Sequence, residues 1–229
     1  ARDPLLMANA PALASRIVQS LGIKPDQFVV IQGGVAVLPA MEAIAIEAQR
    51  AGARTLTRIT TERIARFRAA ELPEQYLGRL PSRIDSTLIR DADFWIELPE
   101  VTDAGIYSRD VSETRLAKMR SSQGAWAALW AGKSARRLFV NLPQPSDTVG
   151  FAMSADAYRR AAWGALTADY REIARVGTTL QRALAGARRV RVTSPEGTDI
   201  TFGLAADRAV VVDAGGVDAG TGPSATSSR

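Results

Sequence analysis

Residues 27–59 constrain the fold more than any other part of the chain. Gln27-Phe-Val-Val-Ile-Gln32 is a nearly continuous apolar run closed by Gly33 and Gly34, the pattern of a strand buried on both faces of a parallel sheet. Directly after it, from Leu38 to Ala51, apolar and small residues recur every three to four positions until Gly52 ends the series. That spacing predicts a helix. Thr55-Leu-Thr-Arg-Ile59 then reads as a second strand. Strand, helix and strand in this order make one β-α-β unit, whose crossover is expected to be right-handed.

The alternation extends to both sides. Pro11 to Leu21 carries Leu13, Ile17, Val18 and Leu21 at helical spacing and stops at Gly22, the usual residue for a left-handed C-terminal cap. Thr60 and Glu62 open a helix through Phe67, Ile84 to Ile89 reads as a short helix, and Phe94-Trp-Ile-Glu-Leu98 as a strand. Pro99 to Asp110 is a polar loop. Ser112-Glu113 caps a long amphipathic helix to about Trp130, and Arg137-Leu-Phe-Val-Asn141 is a fourth strand. Residues 1–143 are therefore expected to be an α/β domain, an open doubly wound, mostly parallel sheet with flanking helices.

Past Pro143 and Pro145 the texture changes. Residues 144–187 read as connecting helices, Ser154 to Gly186 being almost wholly helical with a break near Gly164. From residue 188 a second domain begins. Val190-Arg-Val-Thr193, the turn Ser194-Pro-Glu-Gly197, Asp199 to Leu204 and Ala209 to Val212 show period-two alternation across tight turns, so antiparallel strands are expected. Gly215 to Arg229 carries hardly an apolar side chain and is expected to be a flexible loop. Two or three strands leave a core half-built. The chain thus reads as the front part of a longer protein, its end at Arg229 open to processing, truncation or disorder.

What this chain can do chemically is narrowed by two absences. It has no Cys, which excludes disulfides, thiol nucleophiles and zinc-thiolate sites, and no His, which removes the commonest metal ligand and general base. Apolar runs are broken by Arg, Asp or Gly well before membrane-spanning length, so no membrane partner is expected. The formal charge is +5 and all but three of the 29 basic residues are Arg. Because Glu and Asp are interleaved with Arg63, Arg66, Arg68, Arg159, Arg160, Arg171 and Arg175, these read as a solvated, ion-paired surface rather than a nucleic-acid face. The opening Ala1-Arg2-Asp3-Pro4 suits a mature chain after an export signal is removed, leaving cytoplasmic and exported locations equally open.

Each motif also has a plain structural reading. Gly33-Gly34 lies where nucleotide-binding folds put a phosphate turn, but G-x-G-x-x-G and GK[ST] are absent, so a tight turn is expected. Asp91/Asp93 and Glu97/Glu100 flank the third strand, where capping and solvation explain them. Trp126, Trp130 and Trp163 sit at core spacing on helices. Ser108 and Ser112 lack a base and are not credible nucleophiles.

One resemblance covers nearly the whole chain in order. Leu21-Gly-Ile-Lys-Pro-Asp26 precedes the first strand; Phe139-Val-Asn-Leu-Pro143, Phe151-Ala-Met-Ser154, Ala168-Asp169-Tyr170 and Leu180 to Gly186 follow; Val190-Arg-Val-Thr-Ser-Pro-Glu-Gly-Thr-Asp-Ile-Thr-Phe202 is the longest stretch, with Gly197-Thr198-Asp199 its sharpest piece. In these motifs the chain resembles the N-terminal portion of the aminopeptidase T and aminopeptidase S family of metal-dependent aminopeptidases. The resemblance implies hydrolysis of N-terminal residues from short peptides, divalent metal ions (zinc, cobalt, manganese or iron) held by a C-terminal part beyond Arg229, and a homodimer. That part could also be a separate second chain. No family metal ligand has a counterpart here, so no catalytic, cofactor-binding or metal residue is assigned to this chain. Gly197, Thr198 and Asp199 read as structural, Gly for a positive φ and the other two for side-chain bonds within the turn. An iron-dependent ring-cleaving dioxygenase of dihydroxypyridine shares the scaffold, so the reaction is not fixed by it. The alternative of a different class is a non-catalytic α/β ligand-binding module with Pro99 to Asp110 as the lip of its pocket. A nucleic-acid binder comes third, its mark being steep salt dependence.

Overall fold

The computed structural model describes residues 3–131, 135–144, 147, 153–205 and 210–212. They fall into two compact units, one running to Thr167 and the other spanning Ala168–Asp218.

In the first unit, helix α1 (Pro4–Leu21) begins at an Asp3 cap, whose side chain accepts the Leu5 N–H at 2.9 Å. It therefore starts earlier than Pro11. An interior proline costs about 3 kcal/mol, but Leu6, Ala10, Leu13, Ala14 and Ile17 form one buried stripe across it, and that burial offsets the loss. Gly22, at φ 61, ends the helix as predicted: its N–H and that of Ile23 close onto the Gln19 and Val18 carbonyls at 3.1 and 3.2 Å.

The sheet has four parallel strands, β1 (Phe28–Gly34), β2 (Arg54–Thr60), β3 (Phe94–Glu97) and β4 (Arg136–Phe139), in the order β2-β1-β3-β4. Helix α2 (Leu38–Arg50) links β1 to β2. The central strands are buried on both faces, with Val29, Val30, Ile31 and Ile96 fully inaccessible. Each such side chain contributes about 1.5–3 kcal/mol of transfer free energy. Val29, Ile31 and Gly33 share the face covered by Met41 of α2. On the other face Val30 and Trp95 cluster with Ile89 and Ala92, and Trp126, Leu129 and Trp130 pack against them. Ile89 comes from α4 (Arg83–Asp91), and Trp126, Leu129 and Trp130 from the helix Gln123–Ala131. Trp130 meets Trp95 edge-on, ring centroids 5.3 Å apart. Helices on both faces of a parallel sheet are the α/β architecture that the sequence predicts.

Three local expectations are revised. Gly33 and Gly34 do not form a tight turn but continue β1, Gly34 being extended (φ −95, ψ 167). The helix opened by Glu62 is short, α3 (Glu62–Arg66), and passes into a π-type turn at Phe67–Glu71, where the Arg115 guanidinium donates to the Ala69 and Leu72 carbonyls at 3.0 and 2.8 Å. The long helix after Ser112 is two, α5 (Glu113–Arg120) and α6 (Gln123–Ala131). Ser121 separates them, its hydroxyl donating to the Lys118 carbonyl at 2.6 Å, a local bond that competes with helix continuation.

Helix α7 (Ala155–Leu166) closes the unit against α1. Ser154 caps it, Trp163 is buried as core spacing predicts, and Arg159 pairs with the carboxylate of Asp3. Arg16 donates to the Thr167 carbonyl at 2.8 Å. Gly164 lies within α7, and the helical break falls at residues 167–169 instead.

The second unit holds α8 (Tyr170–Leu184) and an antiparallel hairpin, β5 (Arg189–Thr193) with β6 (Asp199–Gly203). Val190 faces Phe202 and Val192 faces Ile200 across it. Gly197 takes φ 99 in the turn, as read from the sequence. Asp199 departs from that reading: its carboxylate accepts from the Arg191 guanidinium at 2.8 and 2.9 Å rather than from the turn backbone. Val210–Val212 carry no strand, and Ala209 and the segment from Gly215 to Arg229 lie outside the described residues, as do Phe151 and Ala152.

Candidate ligand-binding cleft

In open parallel sheets, ligands bind where loops leave the carboxyl ends of the strands. At that end β1 and β3 meet under a severe steric constraint. The Gly34 N–H donates to the Pro99 carbonyl at 2.9 Å, and a Cβ on Gly34 would overlap the Glu100 carbonyl group, 2.6 Å from its carbon. Glycine at 34 therefore serves close backbone approach. The loop is seated by further bonds: Leu98 N–H to Gln32 carbonyl and Val140 N–H to Glu97 carbonyl, both at 2.8 Å.

Over the ends of β3 and β4 this arrangement leaves a cleft of about 550 Å³. Leu98, Val140 and Leu142 give it an apolar floor, and Glu97, Glu100, Tyr107 and Asn141 present polar atoms. Asp147 completes the lining. Mostly apolar walls with a few convergent polar groups are what small-molecule sites have in common.

The carboxylates differ in how they are held. Glu97 accepts from Arg137 Nε at 2.7 Å, and the guanidinium stacks over Trp130 and Phe139 at 4.7 and 4.4 Å from the ring centroids, so its charge is matched. Among the described residues, Glu100 accepts from neutral donors, Gln32 Nε2 at 2.7 Å and the Tyr107 hydroxyl at 3.2 Å. Asp147 accepts the Gln144 N–H at 2.7 Å. Burial, then the adjacent Glu100 charge and hydrogen bond, push the Tyr107 phenol up to about 12, with Arg68 pulling weakly the other way. Tyr107 is thus a fixed donor at neutral pH.

The loop from Pro99 to Asp110, read from the sequence as a pocket lip, supplies Pro99, Glu100, Val101 and Tyr107 to this cleft. Its outer part is tied down: Thr102 donates through backbone and hydroxyl to Glu62, holding that carboxyl below its usual range. Arg109 bonds Asp103 at 2.6 Å, with the same effect on Asp103. The acidic residues before β3, expected from the sequence to serve capping and solvation, make other bonds. Asp93 accepts the Phe28 N–H at 2.7 Å, and Asp91 pairs with Arg90. Ser112 is a helix cap, and Ser108 donates to the Gly105 carbonyl at 3.5 Å. Among the described residues, no group of three or more Asp and Glu is placed to hold a metal ion. No helix among them is long and apolar enough to cross a membrane. Gln32 and Asn141 were not legible as site residues, since they lie in separate segments and only the sheet order brings them to one end.

Among solved structures, AmpT from Thermus thermophilus is similar to this chain. AmpT is 18% identical, with a TM-score of 0.60, over 86% of this chain and 54% of its own. The likeness to AmpT shows the α/β fold. A 2,5-dihydroxypyridine dioxygenase from Pseudomonas putida KT2440 also aligns, at 12% identity and a TM-score of 0.42 over 87% of this chain and 48% of its own. The chain spans about half the length of both structures. No family model matches it, and no curated protein matches it.

Proposed function

We propose that the chain is the N-terminal scaffold of a metal-dependent aminopeptidase acting on short peptides. The supporting observation is the AmpT fold, which accounts for 86% of this chain while leaving almost half of AmpT without a counterpart. In such enzymes a divalent metal polarises the scissile carbonyl and activates a water. The residues described here do not fit a metal, so no step is assigned to them; the first unit would shape and restrict access to a site built by further polypeptide. The test is intact mass under denaturing conditions and metal content of the protein from its natural source, with hydrolysis of leucine p-nitroanilide. Additional polypeptide, bound divalent metal and chelator-sensitive hydrolysis support the reading. A 24.5 kDa species without metal or activity rejects it.

A second reading, a ligand-binding α/β module, has its own observation: the 550 Å³ cleft lined by the 99–107 loop at the strand carboxyl ends.

A further inference from the structure

The cleft over β3 and β4 has a chemical preference. Glu100 is half-buried, with one carboxylate oxygen on Gln32 and the other on Tyr107, both neutral donors, and it makes no ion pair among the described residues. Among the described residues each oxygen receives one donor, and a carboxylate oxygen can accept a second. Its backbone is pinned against Gly34, so the carboxylate is placed before any ligand arrives. Asp147, on the same lining, likewise accepts from neutral donors, the Gln144 N–H and the Tyr158 hydroxyl, and makes no ion pair among the described residues. Beside the lining, the Arg137 guanidinium is committed to Glu97 and two aromatic rings. Arg68, which acts on Tyr107, leaves the balance acidic. Beneath the carboxylates lies the apolar floor of Leu98, Val140 and Leu142.

A half-buried carboxylate held by neutral dipoles favours a cation that brings its own charge, because the low local dielectric strengthens that pairing. We infer that this cleft is a binding site for a small organic cation, a primary ammonium carried on an apolar body, with Glu100 as its charge partner. The inference rests on the ligand-binding reading and is independent of the peptidase one. The ammonium donates to the Glu100 carboxylate, and the Asn141 side chain and Asp147 flank it. The apolar body covers Leu98 and Leu142. Anions are disfavoured by the same carboxylates.

The test is calorimetric titration of the purified full-length protein with 2-phenylethylamine, with neutral 2-phenylethanol and with phenylacetate. Expected is saturable binding of the amine, at least tenfold weaker binding of the alcohol, and none of the acid. Glu100→Gln keeps an acceptor but removes the charge and should weaken the amine at least tenfold while leaving the alcohol unchanged. If that variant fails to fold, Asp147→Asn and the salt dependence of amine binding report the same charge term. Equal binding of amine and alcohol overturns the cation inference while leaving a ligand-binding cleft. No binding of any probe overturns both.

Discussion

Gly34 and Glu100 come together so closely that the space of a Cβ on Gly34 is already filled by the Glu100 carbonyl group. Since Gly34 has an ordinary extended backbone, its requirement for glycine is one of volume alone. Gly33→Ala makes a useful contrast: its Cβ would meet the Met41 sulfur, the Val37 methyl and the Leu98 Cβ at 3.0–3.2 Å, and flexible Met41 can give way. Overpacking against backbone forces main-chain movement and costs about 3 kcal/mol or more, against about 1 for the softer site. Urea unfolding of both variants checks the ranking. A Gly34→Ala protein as stable as Gly33→Ala would show that the 99–101 loop is not held as described.

Tyr107 gives a pH signature. Its pKa of about 12 against an ordinary 10.0 means that the folded state holds the phenolic proton more tightly than the unfolded chain does. The stabilisation is therefore complete below pH 10 and is lost as pH rises from 10 through about 12. Absorbance titration near 295 nm should show a late-ionising tyrosine, and Tyr107→Phe should remove that component. Tyr158 is raised as well, by burial and the charge of Asp147, so the variant is needed for assignment. If the late component survives in Tyr107→Phe, the half-buried Glu100–Tyr107 pair is wrong.

Burial separates two isoleucines on the same sheet. Ile96 is fully buried in β3, whereas Ile59 on edge strand β2 is 48% exposed. Ile96→Ala should cost about 2–5 kcal/mol through lost transfer energy and the cavity left behind. Ile59→Ala should cost less than about 1 kcal/mol, because surface truncations leave water rather than a void. Chemical denaturation with an unchanged slope measures both. Similar losses at the two positions would contradict the order β2-β1-β3-β4.

The same contrast explains what the sequence could and could not reveal. Burial on two faces writes an unbroken apolar run, so β1 and β3 were legible from Phe28–Ile31 and Phe94–Ile96. Capping also writes locally: Gly22 and Ser112 were readable because a single side chain or a single φ decides each. Gly33-Gly34 misled because a glycine pair signals a turn when read locally, while its reason here is Glu100, which lies far along the chain. The split between α5 and α6 was hidden for a related cause, a serine hydroxyl competing for one carbonyl within an otherwise helical pattern. The cleft was half legible. Its lip lay in one loop, but Gln32 and Asn141 join it only through parallel pairing, and no periodicity records strand order.

Gly197 tests the opposite kind of glycine. It adopts φ 99 in the β5–β6 turn, yet nothing lies within 4 Å of where a Cβ would stand. Substitution is therefore sterically free and conformationally strained, since L-residues resist this region by about 1–2 kcal/mol. The strain falls on a hairpin whose pairs, Val190 with Phe202 and Val192 with Ile200, include side chains 45–56% exposed at Val192, Ile200 and Phe202. Little burial resists its opening. Gly197→Ala should thus raise amide hydrogen exchange across 189–203 by roughly five- to thirtyfold, the equilibrium equivalent of that strain. Exchange in β1 and β3 should not change. Gly197→Asn, which tolerates positive φ better, should recover part of the protection. Unchanged exchange in Gly197→Ala would mean that the turn relaxes to negative φ at no cost, and that the hairpin register does not depend on this residue.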